Sequence, residues 1–252
     1  LVDRNQAPQP IPAAVNSLSR GGSRSVLVNT QAGVYDLNSG AWTTGYTGAA
    51  TLSAEFGGAI ILQGPGTIAA AEAFNDDSAE WAVVDVGDAV AGDPIRDYAV
   101  DGNDAAIVTA LGSFSTTSGA FTDIDKDSTW DDISDPSNIT FIDQDIPARI
   151  LSVGYGGGGT LYVGTDDGVY ESDGTRPPFD SASTIISKIA ADGTSVAFLG
   201  PYYLFIYDGA SVQRYPFVAG FPGNPNDMTW GDNGGTDRLY VTGDEGIVSI
   251  AP

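Results

Sequence analysis

The sequence predicts an all-β chain, a six-bladed β-propeller of four-stranded antiparallel blades, and two observations carry that prediction. The first is a repeated strand–turn–strand phrase. Residues 160–174 read TLYVGTDDGVYESDG: Leu161 and Val163 alternate with less apolar neighbours, Asp167-Gly168 supplies a tight turn, and Val169 and Tyr170 begin the return. Residues 25–40 (SVLVNTQAGVYDLNSG) and 238–250 (RLYVTGDEGIVSI) align with it without a gap, with Gly33 and Gly246 in the slot of Gly168. The second is the period. Weaker copies begin at Ala59, Ala105 and Thr194, so six hairpins share 252 residues, the spacing of propeller blades.

The remaining strands follow in order. A short apolar segment ending in a Gly-, Asp- or Asn-rich turn precedes each hairpin, at residues 13–18, 50–54, 95–100, 149–153, 185–190 and 227–230. These are the expected A strands, and the hairpins supply B and C. Fourth strands are expected in or beside Trp42, Trp81 and Trp130, and over residues 212–217 in the fifth unit. Residues 69–73 are alanine-rich but brief and read as strand C of the second unit. The sixth unit ends at strand C, so residues 1–6 are expected to supply its fourth strand and close the ring. Pro8, Pro10 and Pro12 would then form an extended bridge into the first unit. The blades fall near 13–48, 49–90, 91–147, 148–183, 184–225 and 226–252, in one domain. A β-sandwich or two small barrels would be the alternative, and the regular period argues against them.

Charge sets the surroundings. There are 33 acidic residues against 10 basic, net −23, with 28 Asp, 5 Glu, 8 Arg and 2 Lys. Such a surface repels nucleic acid and anionic membranes. It also repels itself in dilute buffer, whereas molar salt shortens the screening length to ~3 Å. The composition resembles that of halophilic proteins, which are similarly Asp-rich and Lys-poor. No cysteine or histidine is present, which removes thiolate chemistry and the commonest general base. No apolar run reaches the ~18 residues of a bilayer span, so membrane insertion is not expected. The chain begins at Leu1 rather than Met, so upstream residues are expected to have been cleaved or to be missing from the sequence.

Several motifs invite functional readings. Asp123, Asp125, Asp127 and Asp131 occupy positions 1, 3, 5 and 9 of a calcium loop, but Ser128 stands where Gly is wanted and Ser134 replaces the bidentate Glu. The same stretch resembles the Asp-box turn of sialidase-like propellers: Asp125, Thr129 and Trp130 match, while Asp123 and Asp127 depart. A structural turn, a solvated acidic surface and a bound Ca2+ all remain open for it. Sialidase chemistry is not expected, because the arginines are scattered. Residues 35–42 are faintly similar to the tryptophan-docking motif of quinoprotein propellers, one residue short. The run GYGGGG at 154–159 lacks a P-loop lysine and reads as an A–B turn. Asn138-Ile-Thr140 is a glycosylation sequon, and the Asp131/Asp132 pair carries little information among 28 Asp.

The repeats resemble the propeller repeats of Asp-box and two-component-regulator proteins, whose blades carry a similar LYVGT-DGVY phrase. That resemblance implies fold and is silent on function. The expectation is a non-enzymatic binding and assembly module, extracellular, at the surface of a halophilic virion as a spike, turret or tail component. Its partners would be other virion or surface-assembly subunits, and a host glycan or S-layer. A secreted or cell-surface haloarchaeal propeller is the alternative, and a glycan-processing enzyme a third. An enzyme would be signalled by hydrogen-bonded acids with shifted pKa values in a deep central pocket. Length variation falls between D and the next A strand, at 85–94, 131–147, 175–183 and 216–226. In a propeller these share one face with the B–C turns. Phe179, Phe217 and Phe221 on these segments, with Trp130, are the candidate binding aromatics.

The charge reading makes a direct prediction. The melting temperature should rise as KCl goes from ~0.1 M to ~3 M, a range that shortens the screening length from ~10 Å to under ~3 Å. A melting temperature that is flat or falls with salt would contradict it.

Overall fold

The computed structural model describes residues 13–20, 26–37, 40–42, 49–56, 59–64, 67–71, 82–83, 96–101, 104–108, 113–116, 139–142, 145–178, 184–193, 195–217, 221, 223–232 and 235–251. Among them there is no α-helix, only a 3-10 turn at Gly157–Gly159. No described helix is long and apolar enough to cross a membrane.

The strands form six antiparallel sheets, each a meander of consecutive strands. The first holds β1 (Val15–Arg20), β2 (Val26–Thr30), β3 (Gly33–Asp36) and β4 (Ala41–Trp42). The second holds β5 (Leu52–Phe56), β6 (Ala59–Gly64), β7 (Thr67–Ala71) and β8 (Ala82–Val83). The third holds β9 (Asp97–Asp101), β10 (Asp104–Val108), β11 (Ser113–Thr116) and β12 (Ile139–Phe141). The fourth holds β13 (Ile150–Tyr155), β14 (Leu161–Thr165) and β15 (Gly168–Glu171). The fifth holds β16 (Lys188–Asp192), β17 (Ser195–Leu199), β18 (Tyr203–Tyr207) and β19 (Val212–Pro216). The sixth holds β20 (Pro225–Asp232), β21 (Asp237–Gly243) and β22 (Gly246–Ile250).

All six expected hairpins and all six A strands are present, five of the A strands starting one to three residues later than the sequence placed them. The turn chemistry explains the gapless repeats. Gly33, Gly168 and Gly246 adopt φ of 135°, 99° and 128°, which disfavours any side chain. In all three turns a threonine ties the corner, Thr242 donating to the Gly246 carbonyl at 3.3 Å. The Thr30 hydroxyl donates to the Gly33 carbonyl at 2.8 Å and accepts from the Ala32 N–H at 3.1 Å. Thr165 repeats this with Gly168 and Asp167.

One expectation needs correction. The fourth strand of the third sheet is β12, which pairs Phe141 with Phe114 inside the span read as an insertion at 131–147. There Ile139-Thr140-Phe141, with a β-branched pair and an aromatic, suits an edge strand. The fourth sheet shows three strands among the described residues, and residues 179–183 of the same unit lie outside them. The proposed closure by residues 1–6 and the position of Trp81 lie outside the described residues.

The core lies between sheets. Ala99, Val108, Val153 and Val163 join the third to the fourth; Val169, Ile189 and Phe198 join the fourth to the fifth. Leu199, Ile206, Trp230 and Val241 join the fifth to the sixth, and the Trp230 indole donates to the Ala190 carbonyl at 3.1 Å. Leu18, Val28, Tyr240 and Ile247 join the sixth to the first. Glycine permits the closest approach. A Cβ on Gly164 would fall 2.2 Å from the Ser152 Oγ and 2.9 Å from the Ile186 carbonyl oxygen.

First strands lie beside one another: β1 against β5, β9 against β13, β13 against β16, β16 against β20 and β20 against β1. The Tyr98 hydroxyl of β9 donates to the Ser53 carbonyl of β5. Three of these strands carry a bulge, between Val15 and Ser17, Ile150 and Ser152, and Pro225 and Asp227. A bulge re-aims the side chain that follows it. Here those side chains are Ser17, Ser152 and Asp227.

Candidate functional site

The residue after each bulge belongs to a set. Ser17, Asp97, Ser152, Lys188 and Asp227 pair with Asn29, Val108, Gly164, Leu199 and Thr242, near the end of each second strand. All five side chains reach another sheet. The Ser17 hydroxyl donates to the Thr51 carbonyl at 2.9 Å, and that of Ser152 to the Ile186 carbonyl at 3.4 Å. The Asp97 carboxylate accepts the Val153 N–H at 3.0 Å, and that of Asp227 accepts the Leu18 N–H at 2.6 Å. The Lys188 ammonium sits 2.6 Å from Asp97 and 3.2 Å from Asp227. Lys188 thereby connects the fifth sheet to the third across the intervening fourth. Arg20 and Asp192, 2.9 Å apart, connect the first to the fifth across the sixth. Links between non-adjacent sheets require the first strands to converge.

This cluster is enclosed: side-chain exposure is 16% for Lys188, 3% for Asp97 and 7% for Asp227. Burial pushes the Asp97 carboxyl up, opposed by the Lys188 charge. Burial alone would pull Lys188 down, but Asp227 and Asp97 together hold it well above the ordinary lysine value of 10.5. Burial also pushes the neighbouring Tyr98 hydroxyl up to about 12. The oxygens of both carboxylates are spent inside the protein. Asp97 gives one to Lys188 and one to Val153. Asp227 gives one to Lys188 and its own neighbour Met228, and one to Leu18. A general acid or base needs a lone pair or proton directed at substrate. These acids direct theirs at the backbone, so their geometry is that of a clasp.

The exposed feature lies elsewhere. Tyr202, in the turn between β17 and β18, is 73% exposed, and Ile185, just before β16, is 47% exposed. They are the exposed large hydrophobic residues among those described. Tyr202 stands between two hollows. One, of about 380 Å3, runs past Ile185 and Arg214; the other, of about 500 Å3, runs past Phe217 and Asn224. Pro201, Tyr202 and Tyr203 border both. A B–C turn and two D–A connections therefore meet at one place, as the sequence reading expected of that face. The Arg214 guanidinium lies over the Tyr203 ring, 3.3 Å from its centroid. Among the described residues, none lining either hollow is acidic. The carboxylate tied to this rim is Asp244, which accepts from the Asn224 amide at 2.8 Å.

Of the residues singled out from the sequence, Phe217 and Phe221 meet with tilted rings 5.0 Å apart and pack half-buried against the core between the fifth and sixth sheets. Phe179, Trp130, Asn138 and the candidate ligands Asp123, Asp125, Asp127 and Asp131 lie outside the described residues. The GYGGGG run forms the A–B turn expected of it, with the Gly156 N–H donating to the Thr160 carbonyl at 2.8 Å. Sequence reasoning missed the clasp and Tyr202. The one available signal for the clasp was Lys188, one of two lysines, at a strand start.

No protein-family model matches the chain, and no curated protein matches it. Solved structures do. The extracellular domain of BT4673 from B. thetaiotaomicron matches with a TM-score of 0.51 at 13% identity, over 98% of this chain and 34% of that one. PorZ, a bacterial surface component of the type-IX secretion system of Porphyromonas gingivalis, matches at 0.55 and 12%, over 95% and 31%. YCF48 from Cyanidioschyzon merolae matches at 0.54 and 12%, over 98% of both chains. The chain spans about a third of the length of the first two. At these identities the likeness shows fold alone: the chain has a β-propeller-like repeat fold. Extracellular domains and a surface component are among the structures it resembles.

The clasp predicts a pH signature. Replacing Lys188 with Met leaves two buried carboxylates without their cation and should cost about 3–5 kcal/mol at pH 7. The loss should shrink on acidification, as protons replace the missing charge. In the wild type, Lys188 and Tyr98 both have raised folded values. The Tyr98 contribution is full below pH 10 and is lost as pH rises from 10 through about 12, while that of Lys188 is full below about pH 10.5 and persists to higher pH than that of Tyr98. Urea denaturation from pH 4 to 12 measures both; a Lys188→Met variant as stable as wild type at pH 7 would contradict the clasp.

Proposed function

We propose that the protein is a non-enzymatic binding and assembly module, a six-bladed propeller that works at an extracellular, halophilic surface. The observation that carries this is the exposed Tyr202 and Ile185 on hollows with no acid among their described lining residues, at the meeting of a B–C turn with two D–A connections. Loops on a rigid scaffold are where propellers place recognition. A strongly acidic chain that leaves a tyrosine ring and an isoleucine side by side in water presents a contact surface there. The clasp supports a non-enzymatic reading, because its carboxylates are committed to backbone amides and Lys188.

Six sheets whose first strands touch in succession, the sixth against the first, support six blades. The Asp-rich, Lys-poor composition supports the halophilic setting, and the likeness to extracellular domains supports an external one. The narrower form of the proposal is a virion spike, turret or tail component that meets host glycan or S-layer. A secreted or cell-surface haloarchaeal protein with the same binding face is the second form.

The test replaces Tyr202 with Ala and Ile185 with Ser together, both exposed positions whose loss should leave the circular dichroism spectrum unchanged. Binding of the folded variant to haloarchaeal cell envelopes in ~3 M KCl should fall at least ~10-fold, the loss of about 1.4 kcal/mol. Envelope binding equal to that of the wild type would overturn the assignment of this face.

A further inference from the structure

The hollow beside Tyr202 differs from the rest of the molecule in charge, and the difference defines a ligand. Acidic residues number 33 of 252, yet among the described residues none lines this hollow, and Arg214 is the cation they place there. Two of the other arginines are paired with acids: Arg20 with Asp192 at 2.9 Å and Arg176 with Asp167 at 2.6 Å. Among the described residues Arg214 has no carboxylate partner. It is held by rings instead, 3.3 Å from the Tyr203 centroid and 5.9 Å from that of Phe205. Stacking fixes the guanidinium plane and leaves its N–H edge available. A fixed planar fork of donors matches a carboxylate or sulfate.

Tyr202 supplies the second element. Its exposed ring offers a flat apolar surface at low entropic cost. The C–H face of a pyranose fits such a ring, while its hydroxyls find polar groups at the edge, here Thr184 and Arg214. The hollow's volume of about 380 Å3 accommodates one sugar ring, and the second hollow across Tyr202 accommodates the next. That second hollow borders Asn224, whose amide is held by Asp244, so it suits an uncharged residue.

We propose that this face is a carbohydrate site for an oligosaccharide carrying an anionic pyranose, its ring on Tyr202 and its anionic group at Arg214. The proposal rests on the reading of this face as the binding face and names its ligand class.

The experiment titrates the full chain with three trisaccharides: oligogalacturonate, neutral galactotriose and its sulfated form. Calorimetry is run in ~1 M KCl, where screening at ~3 Å suppresses repulsion by the remaining acids. Galacturonate, the sulfated trimer, or both should bind at least ~10-fold tighter than the neutral trimer, as a charge-assisted hydrogen bond implies. Which of the two prefers the site identifies the anion. Tyr202→Ala should abolish binding of all three. Arg214→Gln should bring the anionic trimers down to the neutral level, and Arg214→Lys should restore part of the preference; melting temperatures confirm that each variant folds. The proposal is overturned if no trimer binds at about 10 mM, if neutral and anionic trimers bind alike, or if Tyr202→Ala binds as wild type. Trimer binding absent while Tyr202-dependent envelope binding persists would reject the sugar and point to a protein partner, leaving the binding face in place.

Discussion

The ammonium of Lys188, between the carboxylates of Asp97 and Asp227, is the point on which the arrangement of sheets depends. Six sheets that pack side by side must bring their first strands together, and the inward amides of those strands face no ladder partner. In this chain two carboxylates meet such amides, those of Val153 and Leu18. Two buried anions side by side would repel each other and lose their hydration. One cation placed between them offsets both effects. The clasp thus draws in five sheets: the third, fifth and sixth through the charges, the fourth and first through the amides. Ser17 and Ser152 extend the same linkage with uncharged hydrogen bonds.

Charge is used differently inside and outside. Within the protein, cations are placed one by one against acids: Lys188 with Asp97 and Asp227, Arg20 with Asp192. Outside, the balance of net −23 keeps the surface hydrated and repulsive. Against that background the Tyr202 rim is an exception in both hydropathy and charge. Its basin is lined by prolines, aromatic rings and a stacked arginine, and it sits on loops borne by the tightly packed fifth and sixth sheets. A contact surface there gains rigidity from the core beneath it, to which Phe217 and Phe221 contribute.

The hairpins were legible in the sequence because strand alternation and turn glycines are local signals. Gly33, Gly168 and Gly246 share a backbone conformation that other residues avoid, so the repeats align on them. The clasp was not legible because it is assembled by register from positions 91 and 39 residues apart, and the bulge that aims Asp227 leaves no mark on composition. Among 28 Asp, neither Asp97 nor Asp227 stands out. Lys188 did stand out by rarity, yet its location in a strand gave no partner. Tyr202 was hidden by its neighbours: in PYYLFIY only the turn decides that Tyr202 faces water and Phe205 the core. The aromatic loop at Phe217 and Phe221 was legible as a feature, while its packing against the core depended on tertiary contact.

The central claim is that carboxylates hold adjacent sheets through backbone amides, and amide hydrogen exchange tests it most directly. The N–H groups of Leu18 and Val153 point at Asp227 and Asp97, not at a strand. Followed by NMR in molar KCl, both should exchange only through global unfolding, with the same free energy as the best-protected core amides of β2 and β14. Exchange of either amide at the rate of an unstructured peptide would contradict the account.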